Sequence, residues 1–262
     1  MPTVRRPAVA GMFYPGSPVE LRSTVEDLLR KARPSSGPRP KAVIAPHAGY
    51  VYSGPIAAVA FQALAGQALH RVVVLGPAHR VPVRGLALPG CDAFATPLGE
   101  VAVDTEAAAA LSDLPQVTTF PEAHASEHSL EVELPFLQVL FPGVPVLPIV
   151  VGDADGDEVA EVLDRVWGGP ETAVVISSDL SHYLPYDVAR RVDRETADEI
   201  LALEGPLHSR QACGAWPING LLVAAHRRGM TPTLLDLRSS GDTSGDRGRV
   251  VGYGAFAFSE DG

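Results

Sequence analysis

Four short strand-like runs recur along the chain, and each ends abruptly in a cluster of polar residues. KAVIA (41–45) runs into Pro46-His47-Ala48-Gly49-Tyr50, and RVVVL (71–75) into Gly76-Pro77-Ala78-His79. AVVIS (173–177) runs into Ser178-Asp179-Leu180-Ser181-His182, and PTLLDL (232–237) into Ser239-Ser240-Gly241-Asp242. The first three lack the polar/apolar alternation of a half-solvated strand. They read as strands buried on both faces, which happens when helices cover both sides of a parallel sheet.

The segments between them fit. Helical stretches are expected over 18–32, 54–64, 104–111 with Asp104 as cap, 157–167, 187–203 and 217–228 with Pro217 at the first position. Residues 129–140 are amphipathic, with Pro135 as a kink or boundary. Further strands are expected over 144–151 and 250–258, and turn signals make 86–103 a hairpin excursion. This alternation predicts a layered α/β/α fold around a mostly parallel, mixed sheet, as one domain spanning residues 1–262. The Pro/Ser-rich stretch 33–40 lies too early to divide the chain and links the first helix to the first strand.

Composition narrows the function classes. A net charge of -10 argues against nucleic-acid binding, which calls for a basic patch. The densest basic cluster, Arg190, Arg191 and Arg194, is flanked or interrupted by Asp187, Asp193 and Glu195 and reads as a solvated helix face. No run approaches 18 apolar residues, so no membrane span is expected, and residues 1–10 lack the apolar region of a signal peptide. Two cysteines, Cys91 and Cys213, make neither a disulfide framework nor a four-cysteine zinc site. A reducing, cytoplasmic setting follows. No Walker-type loop or dinucleotide fingerprint points to a nucleotide cofactor.

In open α/β sheets, ligands bind beyond the carboxyl ends of the strands. If the four strands are parallel, His47, His79, Asp179 with His182, and Asp242 meet at one edge. Two neutral imidazoles and a carboxylate suit a divalent transition metal, as in the iron(II) facial triad or the His/His/carboxylate set of catalytic zinc. A further imidazole such as His182 would serve as acid or base. The alternatives are plainer: hydrogen-bonded loop histidines, a helix cap by Asp179 or Ser181, and a turn at SGDTSGD. The run 122–129, with Glu127, His124 and His128, is either a substrate-binding wall of the same crevice or an exposed helix entry. In a helix, His124 and His128 would share a face. Tyr50 and Tyr52 are crevice-lining or packing residues. Cys213 precedes a helix whose dipole could lower a thiol pKa; the alternative is a buried structural cysteine. His70, His208 and His226 are expected at the surface.

Several motifs, in order, carry a family resemblance. RRPAVAGMFYPG, APHAGYVYSG, LGPAHR, ATPLGEVAVD, EHSLEVELPFL, SSDLSHY, CGAWPI and SGDTSGD followed by VVGYGAFAF resemble the Memo family from about Arg5 to Phe258. Its animal member is named as a mediator of receptor-driven cell motility, and its bacterial and archaeal members are linked to a radical-SAM protein. The resemblance implies a fold like that of class III extradiol dioxygenases. It makes His47 and His79 metal ligands, His182 the acid/base and Asp179 its pocket companion. At the third ligand position, cysteine in the animal member and glutamate in the dioxygenases, this chain has Asp242. Iron(II) is the implied metal, with copper or zinc as alternatives. The expected function is a dioxygenase-like oxidoreductase acting on a small aromatic or redox-active molecule. Tyr50, Glu127, His128 and Cys213 are the expected substrate contacts, and the alternatives are a non-catalytic module for a peptide or small ligand using the same crevice and a zinc-dependent hydrolase.

Overall fold

A computed structural model describes residues 3–32, 37 and 39–260 of the chain. Most of the stretch 33–40 lies outside the described residues. In chain order the first elements are β1 (Val4–Arg5), α1 (Pro18–Lys31), β2 (Ala42–Ala45), α2 (Tyr50–Leu64), β3 (Arg71–Pro77), β4 (Leu86–Leu88), β5 (Ala93–Thr96) and β6 (Gly99–Ala102). They are followed by α3 (Thr105–Ala109), β7 (Val117–Thr119), α4 (Pro121–Ala125), a 3-10 turn at Glu131–Glu133, α5 (Leu134–Leu140) and β8 (Val146–Val151). The remainder comprises α6 (Gly156–Val166), β9 (Thr172–Ser177), β10 (His182–Leu184), α7 (Tyr186–Leu201), α8 (Ala215–Arg228), β11 (Thr231–Ser239), α9 (Ser240–Thr243) and β12 (Val250–Ser259).

The architecture is mixed α/β around a large mixed sheet, ordered β10-β12-β2-β9-β3-β8-β4-β7, with β11 on the other side of β12. Its centre, β2, β9, β3 and β8, is parallel and almost wholly apolar. The reason is visible in the register: every residue of β2, β8 and β9 is buried, because helices cover both faces. One face packs Val43, Val72, Val74 and Val175 against Phe61, Phe136 and Leu21 of the α1/α2/α5 layer. The other packs Ile44, Leu75, Leu147 and Ile176 against Leu163, Ile200 and Leu221 of the α6/α7/α8 layer.

β12 is antiparallel to β2, and β11 antiparallel to β12, so β11 points the same way as β2. All four polar-tipped strands therefore end at one edge. The expected hairpin is narrower than 86–103. β4 joins the main sheet, while β5 and β6 pair as a hairpin in a separate three-stranded sheet with β1. The helix after β2 begins at Tyr50 rather than Gly54 and carries Pro55 within it. Its first turn thus directly follows the His47 loop. Asp104 caps α3 as expected, its side chain accepting from the Ala107 N–H, and Pro135 sits in the first turn of α5.

Candidate metal centre

His47 follows β2 and is buried. Two contacts fix it: its backbone N–H donates to Asp179 Oδ1 at 2.9 Å, and its ring Nδ1 lies 2.8 Å from Ser177 Oγ. His79 follows β3, and both its backbone N–H (2.6 Å) and its Nδ1 (2.9 Å) meet the Glu127 carboxylate. The neighbouring imidazole is His128. Its ring stacks on His79 with centroids 4.6 Å apart, stands edge-on to His47 at 5.3 Å, and has Nδ1 3.2 Å from Glu127 Oε1.

These three imidazoles form the cluster. One ring nitrogen from each of His47, His79 and His128 lies within 4.8 Å of the others. The Nδ1 atoms of His47 and His79 are held by Ser177 and Glu127, that of His128 approaches Glu127 Oε1 to 3.2 Å but makes no hydrogen bond, and His47 Nε2 has Cys213 Sγ beside it at 3.4 Å. A polar partner behind a ligating imidazole, as His47 and His79 have, is how metal sites fix ring orientation and raise basicity. Burial, reinforced by His79 and His128, holds the His47 pKa well below the usual histidine range, which keeps this ring in the neutral form a metal needs. Burial raises Glu127, but hydrogen bonds from His128, His79 and Ser129 outweigh it, so its carboxyl is held far below the usual range. The donor set and its anchoring carboxylate fit a divalent transition metal.

Around the cluster stand two protonable groups. His182 Nδ1 is 2.8 Å from the Leu180 carbonyl, which can only accept, so Nδ1 carries the proton and Nε2 is the basic atom. Burial lowers its pKa, so the ring is a neutral base at pH 7. Asp179, expected as the pocket companion of His182, does not orient it. Leu180 does so, and Asp179 clamps the His47 loop instead. Burial pushes the Asp179 carboxyl up to about 7 against hydrogen bonds from the His47 and Ala48 N–H groups.

The other candidates fall elsewhere. Asp242, expected as third ligand, is turned away by α9. Its Oδ2 accepts from the Ser239 N–H and hydroxyl in a capping box, and its Oδ1 accepts from the Tyr186 hydroxyl at 2.5 Å. There it lines a cavity of about 400 Å³ with Arg190, Arg191, Arg194 and Arg238. Tyr50 is a packing residue: it is buried against Phe136, and its hydroxyl donates to the Val132 carbonyl. Tyr52 is exposed. Glu127 is not a crevice wall but the anchor behind two imidazoles, and His128 is a cluster member. His124 does not share a face with it, because α4 ends at Ala125. It is buried with Nε2 against the Ala87 carbonyl. Cys213 Sγ sits 3.4 Å from His47 Nε2, but burial raises its thiol pKa far above the usual range, the opposite of an activated nucleophile. His70, His208 and His226 are exposed.

Sequence reasoning missed Ser177, Glu133, Phe13 and Tyr253. Phe13 packs its ring 4.9 Å from His128. Tyr253, buried on β12, lies within electrostatic reach of Asp179, Tyr52 and Tyr183. A signal did exist for the segment behind the site. Glu127, Glu131 and Glu133 punctuate an apolar stretch, and buried carboxylates demand partners.

Fold and site together define an α/β protein with a three-imidazole crevice at the carboxyl edge of its parallel strands. The family described as Memo-like protein matches residues 5–257. The MEMO1 family protein of Methanopyrus kandleri is 39% identical over 97% of this chain and 98% of its own. That of Sulfolobus acidocaldarius is 37% identical, over 98% and 100%. That of Methanothermobacter thermautotrophicus is 36% identical, over 95% and 98%. The chain belongs to the Memo family. A solved structure of an uncharacterised Escherichia coli K12 protein aligns over 98% of this chain and 100% of its own, at 14% identity and a TM-score of 0.45. Among the described residues no helix is long and apolar enough to cross a membrane.

Proposed function

We propose that His47, His79 and His128 hold a divalent transition metal and that the protein is a dioxygenase-like, non-haem iron(II) oxidoreductase acting on a small aromatic or redox-active molecule. The observation that carries this reading is the convergence of three imidazoles at the open strand edge, two of them held through Nδ1 by Ser177 and Glu127. Such an ion would supply Lewis acidity and, as iron(II) or copper, one-electron chemistry.

The chain supplies the rest. His182 Nε2 accepts a proton from a bound substrate and returns it. The Leu180 carbonyl holds that tautomer throughout. Asp179 keeps the His47 loop closed on β9. Tyr183 and Trp216, both exposed, adjoin His182 and the Cys213 turn in sequence and offer aromatic surface to a flat ligand.

Zinc-dependent hydrolysis is a second reading, favoured by one observation. The cluster is three imidazoles with its carboxylate one shell out, a donor set known for catalytic zinc.

Elemental analysis of anaerobically purified protein, with iron(II), copper and zinc add-back, tests both. About one metal per chain, lost in His47→Ala and kept in His182→Ala, supports the centre. Oxygen consumption with catechols on iron loading supports the first reading, and ester or amide turnover on zinc loading supports the second. No metal under any add-back rejects both.

A further inference from the structure

Ser177 Oγ has three polar neighbours and one proton. The Ser129 carbonyl lies at 2.6 Å, Glu133 Oε1 at 2.7 Å and His47 Nδ1 at 2.8 Å. The carbonyl can only accept, so it claims the hydroxyl proton. The Ser177 oxygen must then receive hydrogen bonds from the other two. His47 satisfies this as Nδ1–H. Glu133 satisfies it only as a carboxylic acid, its O–H donating.

The alternative is an ionised Glu133, which competes with the Ser129 carbonyl for one proton. That leaves two acceptors facing one hydroxyl and a carboxylate with no compensating cation. Glu133 is fully buried, its Oε2 has no hydrogen-bond partner, and no Lys, Arg or His pairs with it among the described residues. An orphaned carbonyl oxygen of a neutral acid costs far less than an orphaned carboxylate oxygen. The ionisable groups that face it, Asp179 and Tyr50, carry no positive charge. Burial pushes the Glu133 carboxyl well above the usual range, outweighing the lowering effect of the Ser177 hydrogen bond, and Asp179 pushes the same way as burial.

We infer that Glu133 is a neutral carboxylic acid that, through Ser177, fixes His47 in the Nδ1–H tautomer and so keeps its Nε2 lone pair aimed into the crevice. Glu133 is a positioning residue, because it acts only through Ser177. Its importance for metal capture rests on the reading above, whereas the tautomer it sets exists without metal.

Two measurements on metal-free protein at pH 7 test the inference. Infrared difference spectra of wild type against Glu133→Gln should show loss of a protonated carboxyl C=O stretch and no loss of carboxylate bands. Nitrogen-15 NMR should find His47 protonated at Nδ1 and bare at Nε2. Glu133→Gln should keep that signature, because its amide N–H₂ donates to Ser177 from the same place. Glu133→Leu and Ser177→Ala should move His47 into a tautomer mixture and weaken metal binding about 10–100-fold.

Loss of carboxylate bands in Glu133→Gln, or a wild-type His47 protonated at Nε2, overturns the inference. Where Glu133→Leu fails to fold, the wild-type and Glu133→Gln pair decides alone. A protein that binds no metal yet shows the acid band and the Nδ1–H tautomer upholds this inference and rejects the metal reading.

Discussion

Glu127 grips His79 at two points, its backbone N–H and its Nδ1, and the same carboxylate accepts from the backbone N–H groups of His128 and Ser129. One side chain thereby sets the spacing between two imidazoles that are 49 residues apart in the chain (128 − 79). Glu127→Gln preserves the volume but offers a single acceptor oxygen to four donors and removes the charge. Metal affinity should fall about 10–100-fold, as is usual for the groups behind metal ligands. Competition titration with a chromophoric chelator measures it, and unchanged affinity would mean that Glu127 merely fills space.

Asp179 makes the fold pH-sensitive. Its folded pKa of about 7 lies above the ordinary 3.8, so the native state holds its proton more tightly than the unfolded chain. The stability this contributes is fully present below about pH 4 and is lost as pH rises through about 7. Three pKa units correspond to about 4 kcal/mol. Asp193, raised to about 6, acts in the same window. Buried His47 and half-buried His182, whose lowered pKa values add stability as pH rises, work in the opposite sense, so the readout is a difference: the melting temperature of metal-free wild type relative to Asp179→Asn should fall from pH 4 to 7. A difference that stays constant would place the titration elsewhere.

Glu131 ties the N-terminal segment to the site. It accepts from Arg5 Nη1, the Ala8 and Val9 N–H groups and the Tyr14 hydroxyl, all on a fully buried side chain. Glu131→Gln leaves the Arg5 guanidinium buried without a counter-charge, a change that costs about 3–5 kcal/mol. Urea denaturation reads the loss. Because Phe13 packs on His128, early proteolysis near residues 5–14 should accompany weaker metal binding.

Gly252 leaves room for the clamp on the His182 loop. A Cβ there would lie 2.0 Å from Asp193 Oδ2, while Asp193 Oδ1 accepts from the Ser181 N–H at 3.0 Å. The Gly252 backbone itself bonds both Leu180 and Ser181. Gly252→Ala should cost about 1–3 kcal/mol by overpacking. On the proposed function it should also lower turnover more than metal content, since it moves His182 and not the three clustered imidazoles. Equal losses of both would contradict that division.

The parallel strands and their polar tips are legible in the sequence because fully buried strands leave a plain apolar signature. That signature alone locates His47, His79, Asp179 and His182. It misplaces His128 and Asp242, for opposite reasons. Asp242 does follow a strand pointing to the right edge, but a four-residue helix turns its carboxylate back to cap itself, and no periodicity reveals so short an element. His128 follows no strand of the main sheet. It arrives on a loop between α4 and α5, its backbone N–H captured by the adjacent Glu127 carboxylate and its ring packed on the distant Phe13. The buried glutamates of EHSLEVE are the available clue, and each serves a different partner. Glu127 stands behind His79, Glu131 on Arg5 and Glu133 on Ser177.

The spacing of the imidazoles also decides when in folding they can meet. Positions 47 and 79 follow β2 and β3, which meet only through β9, and pairings between distant parallel strands are expected to form late because loop closure precedes any gain. A metal ion here would not seed a nucleus as it does in a zinc finger, whose ligands lie within one short stretch of chain. If the cluster holds an ion, that ion would meet a nearly finished sheet, and its binding energy would be absent from the folding transition state. The ion should therefore leave the refolding rate almost unchanged and act as a brake on unfolding alone.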